Sequence, residues 1–199
     1  MQDDGIVLYR RFLDGDEKGL EELISLYHRG LLRFIYGYVH DFALAEDLLQ
    51  EVFVQIYMRR TFKAIDGVSF KTYLYKIARN KCLNELKRRK RKKELSLDAL
   101  AEKNAPLTEK LPEGILYATE NADDTLENSQ RTALIHTALS RLKDEYREVL
   151  LLKYFDGLPP ERIAKITGRK IKQVYNLLAR GKVALKDELL KGGTDYEDF

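Results

Sequence analysis

Cationic and amide side chains recur at helical spacing between positions 76 and 91. They stand three and four residues apart with no acidic residue among them, so they share one side of a helix: Lys76, Arg79, Asn80, Asn84, Lys87 and Arg91. Ammonium, guanidinium and amide groups donate to phosphates and read base edges. Tyr73 and Tyr75 lie close by and supply rings on which bases can stack. The pattern indicates a nucleic-acid surface, and its alternative is the solvated basic face of an ordinary amphipathic helix.

One long helix over residues 70–93 must carry these side chains. Its apolar residues recur at the same spacing on another side and predict a face that packs in a core: Phe70, Leu74, Ile77, Ala78 and Cys82. The helix continues into an unbroken basic block, Lys87 to Lys93. Cys82 is the single cysteine and belongs to the apolar face, so we interpret it as a small buried hydrophobic residue.

A second set of cations and amides follows a helix-turn-helix pattern nearer the C-terminus. Pro159 and Pro160 begin a helix, Gly168 suits a turn that needs positive φ, and Ala164 and Val174 occupy inward positions. The outward face of the next helix offers donors that match major-groove edges: Lys170, Lys172, Gln173, Tyr175, Asn176 and Arg180. DNA binding is the favoured interpretation, and a helical hairpin used for protein contacts is the alternative.

The helix predicted over residues 43–58 has an acidic face instead. Asp41 is its expected N-cap, and the apolar stripe that faces the core contains Leu44, Leu48, Val52 and Ile56. The remaining face carries acids and amides: Glu46, Asp47, Gln50, Glu51 and Gln55. Such a face repels phosphates and cannot bind DNA. It is either solvated or a docking face for a basic protein partner.

Length and composition favour an all-α chain of two small helical domains joined by a flexible acidic linker. The chain has 199 residues, 44% of them hydrophobic and 34% charged, with a formal net charge of only +3. We expect domains over 1–94 and 129–191, a linker over 95–128 and a disordered tail over 192–199. The acidic N-terminus and the lack of a long apolar run predict a cytoplasmic protein. His28 and His40 lack partners at metal-ligand spacing.

Three segments in this order resemble the bacterial RNA polymerase sigma factors of the extracytoplasmic-function (ECF) type. They read AEDLLQEVFVQIY, FKTYLYKIARNKCLNELKRR and, after the linker, RLKDEYREVLLLKYFDGLPPERIAKITGRKIKQVYNLLARGK. The resemblance implies two folded domains, corresponding to the second and fourth conserved sigma regions. It also implies a subunit that binds core RNA polymerase, directs it to promoters and assists promoter melting. Such a subunit has no catalytic activity or cofactor of its own, and many members are held by an anti-sigma partner.

The resemblance also assigns roles to individual positions. Docking on the clamp helices of the largest polymerase subunit falls to Asp47, Leu48, Gln50, Glu51 and Phe53. The loop 63–69, which contains Lys63 and Asp66, is implied to capture a flipped base of the minus-ten element. The other contacts to this element are implied to come from the long helix: Tyr73, Lys76, Arg79, Asn80, Asn84, Lys87, Arg88 and Arg91. The outward helix 170–180 is implied to read the minus-thirty-five element, and the acidic linker to thread the polymerase cleft and RNA exit channel.

Several positions depart from the family pattern. Tyr73 replaces a usual tryptophan and keeps an aromatic ring, whereas Asn84 stands where aspartate is frequent and can alter the preferred base. Pro159 and Lys170 replace residues that cap the two helices of the helix-turn-helix. The first residue of the recognition helix is therefore uncertain by about one turn.

Three other classes of protein compete with this interpretation. A helix-turn-helix regulator would need a ligand pocket or dimerisation helix in residues 1–94, where the sequence instead has a basic stripe. An enzyme would need a phosphate loop, a metal-ligand cluster or a nucleophile with its base, and none is visible in the sequence. An RNA-binding adapter would explain the basic block but not the helix-turn-helix.

Overall fold

A computed structural model describes residues 4–59, 69–95 and 126–191, and these ranges are helical with no strand. The helices are α1 Asp4–Leu13, α2 Glu17–Val39, α3 Phe42–Arg59, α4 Phe70–Leu95, α5 Leu126–Arg141, α6 Asp144–Leu150, α7 Pro160–Thr167 and α8 Ile171–Lys191. A five-residue π-helical segment, Leu151–Phe155, continues α6. The all-α prediction is confirmed. The expected linker and tail fall largely outside the described residues.

Helices α1 to α4 form the N-terminal group, and local capping explains where two of them begin. The carboxylate of Asp16 accepts a hydrogen bond from the backbone N–H of Lys18 at 3.1 Å, which caps α2. Asp41 does the same for α3 by accepting from Leu44 N–H at 3.1 Å, as the sequence predicts. Between these helices His40 takes the left-handed conformation, with φ of 53°, and ends α2.

The apolar face of α4 packs in the core. Phe70, Leu74, Ala78 and Cys82 are fully buried, and Ile77 is 8% exposed. Burial raises the pKa of the Cys82 thiol to about 12, so the sulfur is an uncharged hydrophobic group at neutral pH. The predicted inward stripe of the long helix is confirmed at every position.

Helices α5 to α8 form the C-terminal group, which contains the predicted helix-turn-helix. Gly168 lies between α7 and α8 with φ of 71°, a conformation that favours glycine, while Val174 faces inward with no exposure. The helix α8 begins at Ile171. Its first turn is closed by the Gln173 side chain, which accepts from Lys170 N–H at 2.9 Å. This contact is the half of a capping box in which the N3 side chain accepts from the N-cap N–H, and it places Lys170 at the N-cap of α8.

The two groups pack against each other and share one hydrophobic core. Helix α7 lies along α4, and α6 with its π-helical segment lies against α2. Gly30 and Gly37 of α2 mark the close approach, because an added Cβ would stand 2.5 Å from the Tyr75 hydroxyl and 2.7 Å from Leu151 Cδ1, respectively. Despite both glycines, α2 is one continuous helix of 23 residues. Their function in the fold is to admit neighbouring side chains.

Candidate nucleic-acid and polymerase interfaces

The basic and amide stripe of α4 is accessible over most of its length. Six of the predicted minus-ten residues are exposed there: Lys76, Asn80, Asn84, Lys87, Arg88 and Arg91. Asn80 and Asn84 are one helical turn apart, so their amides lie side by side and can address neighbouring bases. Tyr73 is half-buried, with its ring centroid 6.2 Å from that of Phe70. Lys63 and Asp66 lie outside the described residues.

Arg79 differs from the rest of the stripe because it points toward the C-terminal group. Its Nε donates to Oε1 of Glu148 at 2.6 Å, and both side chains are largely buried. Tyr75, which the sequence placed near the nucleic-acid surface, is 1% exposed and donates its hydroxyl proton to Asp156 at 2.6 Å. Both groups are therefore occupied by acids of the C-terminal group in this structure.

Two arginines of the basic block make ion pairs with residues of the N-terminal group. Arg88 donates to Glu85 at 2.7 Å and 3.0 Å, and these bonds lower the pKa of that carboxyl group. Arg89 contacts the same glutamate and also Asp41 at 3.2 Å, so it connects α4 to the start of α3. Since Arg88 remains 77% exposed, its guanidinium still faces solvent and can approach a phosphate.

The recognition helix α8 presents its predicted residues to solvent. All six are exposed and none contributes to the core: Lys170, Lys172, Gln173, Tyr175, Asn176 and Arg180. The inward side of the same helix is filled by Val174 and Leu178, which pack in the shared core. One side of α8 packs in the core and the other presents amides and cations to solvent, an arrangement typical of helices that bind in the DNA major groove.

The acidic face of α3 is exposed, whereas two apolar residues of the docking segment implied by the resemblance are buried. Asp47, Gln50 and Glu51 are exposed, and Glu51 accepts a hydrogen bond from Lys81 of α4 at 2.7 Å. Leu48 and Phe53 are 5% and 8% exposed, so they support the face from within the core and offer no surface of their own.

Apolar side chains that the sequence analysis missed continue this face toward the end of α3. Val54 is 58% exposed and Met58 73% exposed, and with Asp47, Gln50 and Glu51 they follow a spacing of three and four. Neighbouring Tyr57 is also exposed, at 46%. The spacing of three and four continues beyond Gln50 to Val54 and Met58, and this spacing could have placed them on the same face from the sequence alone. The face therefore combines an acidic part with an apolar part, as protein-docking surfaces do.

Two buried acids of the C-terminal group lie at the contact between the groups, and we call Glu148 and Asp156 the acidic pair. Glu148, 4% exposed, accepts hydrogen bonds from Arg79, from the Tyr38 hydroxyl and from Arg169. The sequence analysis assigned no function to either acid. Their partners are distant in the chain, and a single sequence does not reveal such pairings.

The Asp156 carboxylate faces two groups from the N-terminal half. Besides the Tyr75 hydroxyl, Nη2 of Arg33 lies 3.5 Å from its Oδ1, while the backbone carbonyl of Asp156 accepts from Lys71 Nζ at 2.6 Å. Burial raises the pKa of Asp156, although Tyr75 and Arg33 act in the opposite direction. The guanidinium of Arg33 also lies 5.0 Å from the centre of the Phe155 ring.

A small cavity of about 40 Å³ separates the groups near two histidines. Its lining includes His40, His136, Arg33 and Arg147. Burial is the main cause that lowers the pKa of both histidines to about 4. The charge of Arg147 acts in the same direction on His40, and that of Arg33 on His136. Within the described ranges, no three His, Cys, Asp or Glu side chains form a group suited to a metal ion.

Comparison with known proteins identifies the family. The Sigma-70 region 2 model matches residues 23–92, and the Sigma-70 region 4 model matches residues 132–185. The RNA polymerase sigma-H factor of Pseudomonas aeruginosa is 30% identical over 183 residues, which is 92% of each protein. The ECF RNA polymerase sigma factor SigW of Bacillus subtilis is 29% identical over 181 residues, covering 88% of this chain and 91% of the relative. The chain belongs to the ECF-type sigma factors of bacterial RNA polymerase.

Solved structures agree with this ECF sigma factor in fold. The sigma factor RpoE in complex with the anti-sigma factor NepR from Bartonella quintana superposes with a TM-score of 0.66 at 23% identity, covering 87% of this chain and 98% of the other. CnrH in complex with the cytosolic domain of CnrY gives 0.61 at 19% identity, covering 96% and 99%. As a sigma factor, the protein directs RNA polymerase to promoters. No described helix is long and apolar enough to cross a membrane.

Proposed function

We propose that the sigma factor reads two promoter elements with the two exposed faces on α4 and α8. The single observation that carries this proposal is the solvent-facing side of α8, where all six predicted minus-thirty-five contacts are exposed on a helix whose other side is buried. Lysine and arginine pair with guanine, and asparagine and glutamine pair with adenine, in the major groove. The helix-turn-helix therefore supplies duplex recognition.

The exposed amides of α4 recognise the melted minus-ten element. Extruding a base from the duplex costs a few kcal/mol, which hydrogen bonds and stacking to the extruded base can offset. Asn80 and Asn84 are the sequence readers in this proposal, while the cations beyond them hold the phosphate backbone. A protein that binds only the opened form shifts DNA toward that form without ATP. It acts as an initiation factor with no reaction of its own.

The acidic and apolar face of α3 docks on core RNA polymerase. Exposed Asp47, Gln50 and Glu51 supply charge complementarity toward a basic partner, and exposed Val54 and Met58 supply apolar contact area. In this proposal the segment 1–94 carries polymerase docking and minus-ten recognition, and 129–191 carries minus-thirty-five recognition. The protein works in the cytoplasm, where an anti-sigma partner covers the same surfaces.

Run-off transcription tests the function directly. The purified protein is added to core RNA polymerase with genomic DNA, and the transcript start sites are sequenced. We expect discrete start sites that share sequence elements near minus ten and minus thirty-five, absent when core polymerase is used alone. A lack of new start sites would refute the proposal.

The same sample also tests the dependence on core polymerase that distinguishes a sigma factor from a helix-turn-helix regulator. Such a regulator binds a specific duplex tightly by itself, whereas a sigma factor binds its promoter weakly until core polymerase is added. Electrophoretic mobility of the run-off promoter fragment, with and without core, separates the two classes.

A further inference from the structure

Two arginines and two histidines from opposite groups line the cavity of about 40 Å³ that separates those groups. Arg33 lies on α2 and His40 at its C-terminal end. His136 lies on α5 and Arg147 on α6. None of the described lining residues is an aspartate or a glutamate. The described wall of the cavity therefore combines cations and imidazoles without a carboxylate.

Both imidazoles carry a buried nitrogen whose hydrogen-bonding capacity is not used by the protein. His136 is 8% exposed, and neither its Nε2 nor Nδ1 of His40 has a hydrogen-bond partner among the described residues. Every imidazole nitrogen either donates or accepts, and buried polar atoms without a partner are uncommon in native proteins. Two such nitrogens at one cavity indicate a ligand with which both can form hydrogen bonds.

The two arginines are already fixed in position by backbone carbonyls. Arg147 is buried and donates to the carbonyls of Ser140 and Leu142 at 3.0 Å and 3.2 Å. Arg33 is also buried and donates to the carbonyl of Phe155 at 3.4 Å. Because these guanidinium groups are ordered in advance, an anion that binds beside them bears little further cost in side-chain entropy.

Acids outside the described wall balance these positive charges only in part. Asp144 pairs with Arg147, but its side chain is largely exposed, so solvent screens its charge. Asp156 lies 3.5 Å from Arg33. Burial raises the pKa of this carboxyl group, although its neighbours act in the opposite direction. Neither acid therefore cancels the positive charge on the cavity side of the arginines.

The charge of the arginines reaches the imidazoles. Burial is the main cause that lowers the pKa of His40 and His136, and a nearby arginine lowers each further: Arg147 for His40 and Arg33 for His136. Asp144 acts in the opposite direction on His40, with the smallest effect of the three. The groups around both rings thus favour negative charge in the cavity.

We propose that this cavity binds one small tetrahedral oxyanion, of the phosphate or sulfate class, that accepts hydrogen bonds from His40 and His136 beside the two arginines. The oxygens of such an ion only accept, and a protonated imidazole donates from both nitrogens. One water needs roughly 10–15 Å³, so about 40 Å³ accommodates a single small ion but not a nucleotide. The guanidinium groups repel a metal cation.

Binding of the anion is coupled to binding of protons. A negative ion beside the imidazoles favours their charged form and so raises their pKa. By thermodynamic linkage, protonation of the imidazoles increases the affinity for the anion by the same factor. The affinity therefore increases as the pH decreases toward the pKa of the two histidines. The site is separate from the exposed faces of α4 and α8 and does not depend on their assignment to DNA.

Nuclear magnetic resonance of the full-length protein tests the site without any substitution. The chain has three histidines, and the carbon-bound protons of each ring report its pKa. Sodium sulfate is the probe, because the charge of sulfate stays constant over the titration, and sodium chloride at equal ionic strength is the reference. His28 is exposed on α2 and serves as the internal control.

We expect sulfate to raise the pKa of His40 and His136 by at least about one pH unit, with saturation, and to leave that of His28 unchanged. One pH unit corresponds to a tenfold difference in sulfate affinity between the protonated and the neutral form. Equal responses of all three histidines, or no response at His40 and His136, would overturn the proposal.

A pair of variants then tests whether both imidazoles hold the same ion. We expect His136→Gln to weaken the sulfate response at His40 by about tenfold in affinity, because a charge-assisted hydrogen bond is lost. His28→Gln is the matched control and should retain the response. An unchanged affinity in His136→Gln would overturn the shared site.

A second variant covers a loss of folding. If circular dichroism shows that His136→Gln loses helix content, His40→Asn replaces it with the measurement at His136. Asparagine tolerates the left-handed backbone at position 40, where φ is 53°. The same tenfold weakening is expected, and an unchanged response at His136 would contradict the proposal.

Discussion

Arg79 on α4 donates its Nε proton to Oε1 of Glu148 on α6 at 2.6 Å, across the boundary between sigma regions 2 and 4. The guanidinium is 17% exposed and the carboxylate 4% exposed, so the pair is shielded from salt. The contact joins α4 to α6, and the amides and cations that follow Arg79 on α4, from Asn80 to Arg91, lie outside it.

Removal of the two amides on α4 should impair promoter opening without affecting polymerase binding. We expect Asn80→Ala combined with Asn84→Ala to remove about 1–3 kcal/mol of discrimination for each base that the amides recognise. Permanganate reactivity of the melted promoter measures opening, and co-purification measures core binding. A failure of core binding would contradict the assignment of these residues to DNA.

The cations further along α4 should behave differently from the amides. We expect Lys87→Ala with Arg91→Ala to weaken binding to all sequences alike and to reduce the salt slope by about 1 for each phosphate that these cations hold. Binding titrations on promoter and non-promoter DNA measure both effects. A selective weakening on promoter DNA alone would show that these side chains read bases.

Charge reversal on α3 should abolish docking. We expect Asp47→Lys with Glu51→Lys to prevent co-purification with core RNA polymerase, because both exposed acids are then replaced by cations that repel a basic partner. The control is Glu21→Lys with Asp187→Lys, which changes the net charge equally at two exposed positions on other helices. Core binding that persists in the first variant would refute the docking face.

Gln173 has two functions that a pair of variants can separate. Its side chain caps α8 through Lys170 N–H, and its exposed position also places it among the predicted base contacts. We expect Gln173→Ala to lower both the free energy of unfolding, by about 1 kcal/mol, and promoter specificity. Asn176→Ala, which removes no cap, should lower specificity alone, as measured by urea unfolding and competition binding.

The buried histidines predict a loss of stability in mild acid. His136 has a pKa of about 4 in the folded protein because of burial and then Arg33, whereas an unfolded histidine titrates near its ordinary value of 6.5. The unfolded chain therefore binds more protons between these values, and the free energy of unfolding falls as pH decreases from 6.5 toward 4. His40 lines the same cavity and its pKa is also lowered to about 4, so its protonation contributes to the same loss of stability.

Urea unfolding at pH values of about 7.5 and about 5 measures this effect. We expect His136→Gln to reduce the pH dependence by about 2 kcal/mol, calculated from the two pKa values. His28→Gln is the matched control, since His28 is exposed on α2. Equal pH dependence in the wild-type protein and His136→Gln would show that His136 is not buried in the neutral form.

The single sequence predicted those features that depend on local spacing. The inward stripe of α4, the turn at Gly168 and the outward residues of α8 all follow from helical periodicity and glycine chemistry, and the structure places them as expected. The Asp41 cap of α3 follows from the same kind of local rule.

Features that depend on pairing between distant segments were not predictable. Arg79 and Tyr75 have sequence neighbours typical of a DNA surface, but their partners Glu148 and Asp156 lie 69 and 81 positions away. The need for a glycine at position 30 is not visible in the sequence either, because only the packed structure places the Tyr75 hydroxyl beside it. The burial of Leu48, by contrast, follows from the apolar spacing of α3, even though the family resemblance includes Leu48 in the docking segment.

The burial of Cys82 makes this sigma factor suitable for fluorescence work without further engineering. Its thiol is the only one in the chain, has no solvent exposure and stays protonated at neutral pH. Maleimide dyes require an accessible thiolate, so the native protein should not react with them, and only an introduced cysteine would be labelled. Glu145→Cys and His28→Cys, at exposed positions of α6 and α2, would accept a dye pair, and energy transfer between the dyes would report the distance between the two groups with and without core polymerase.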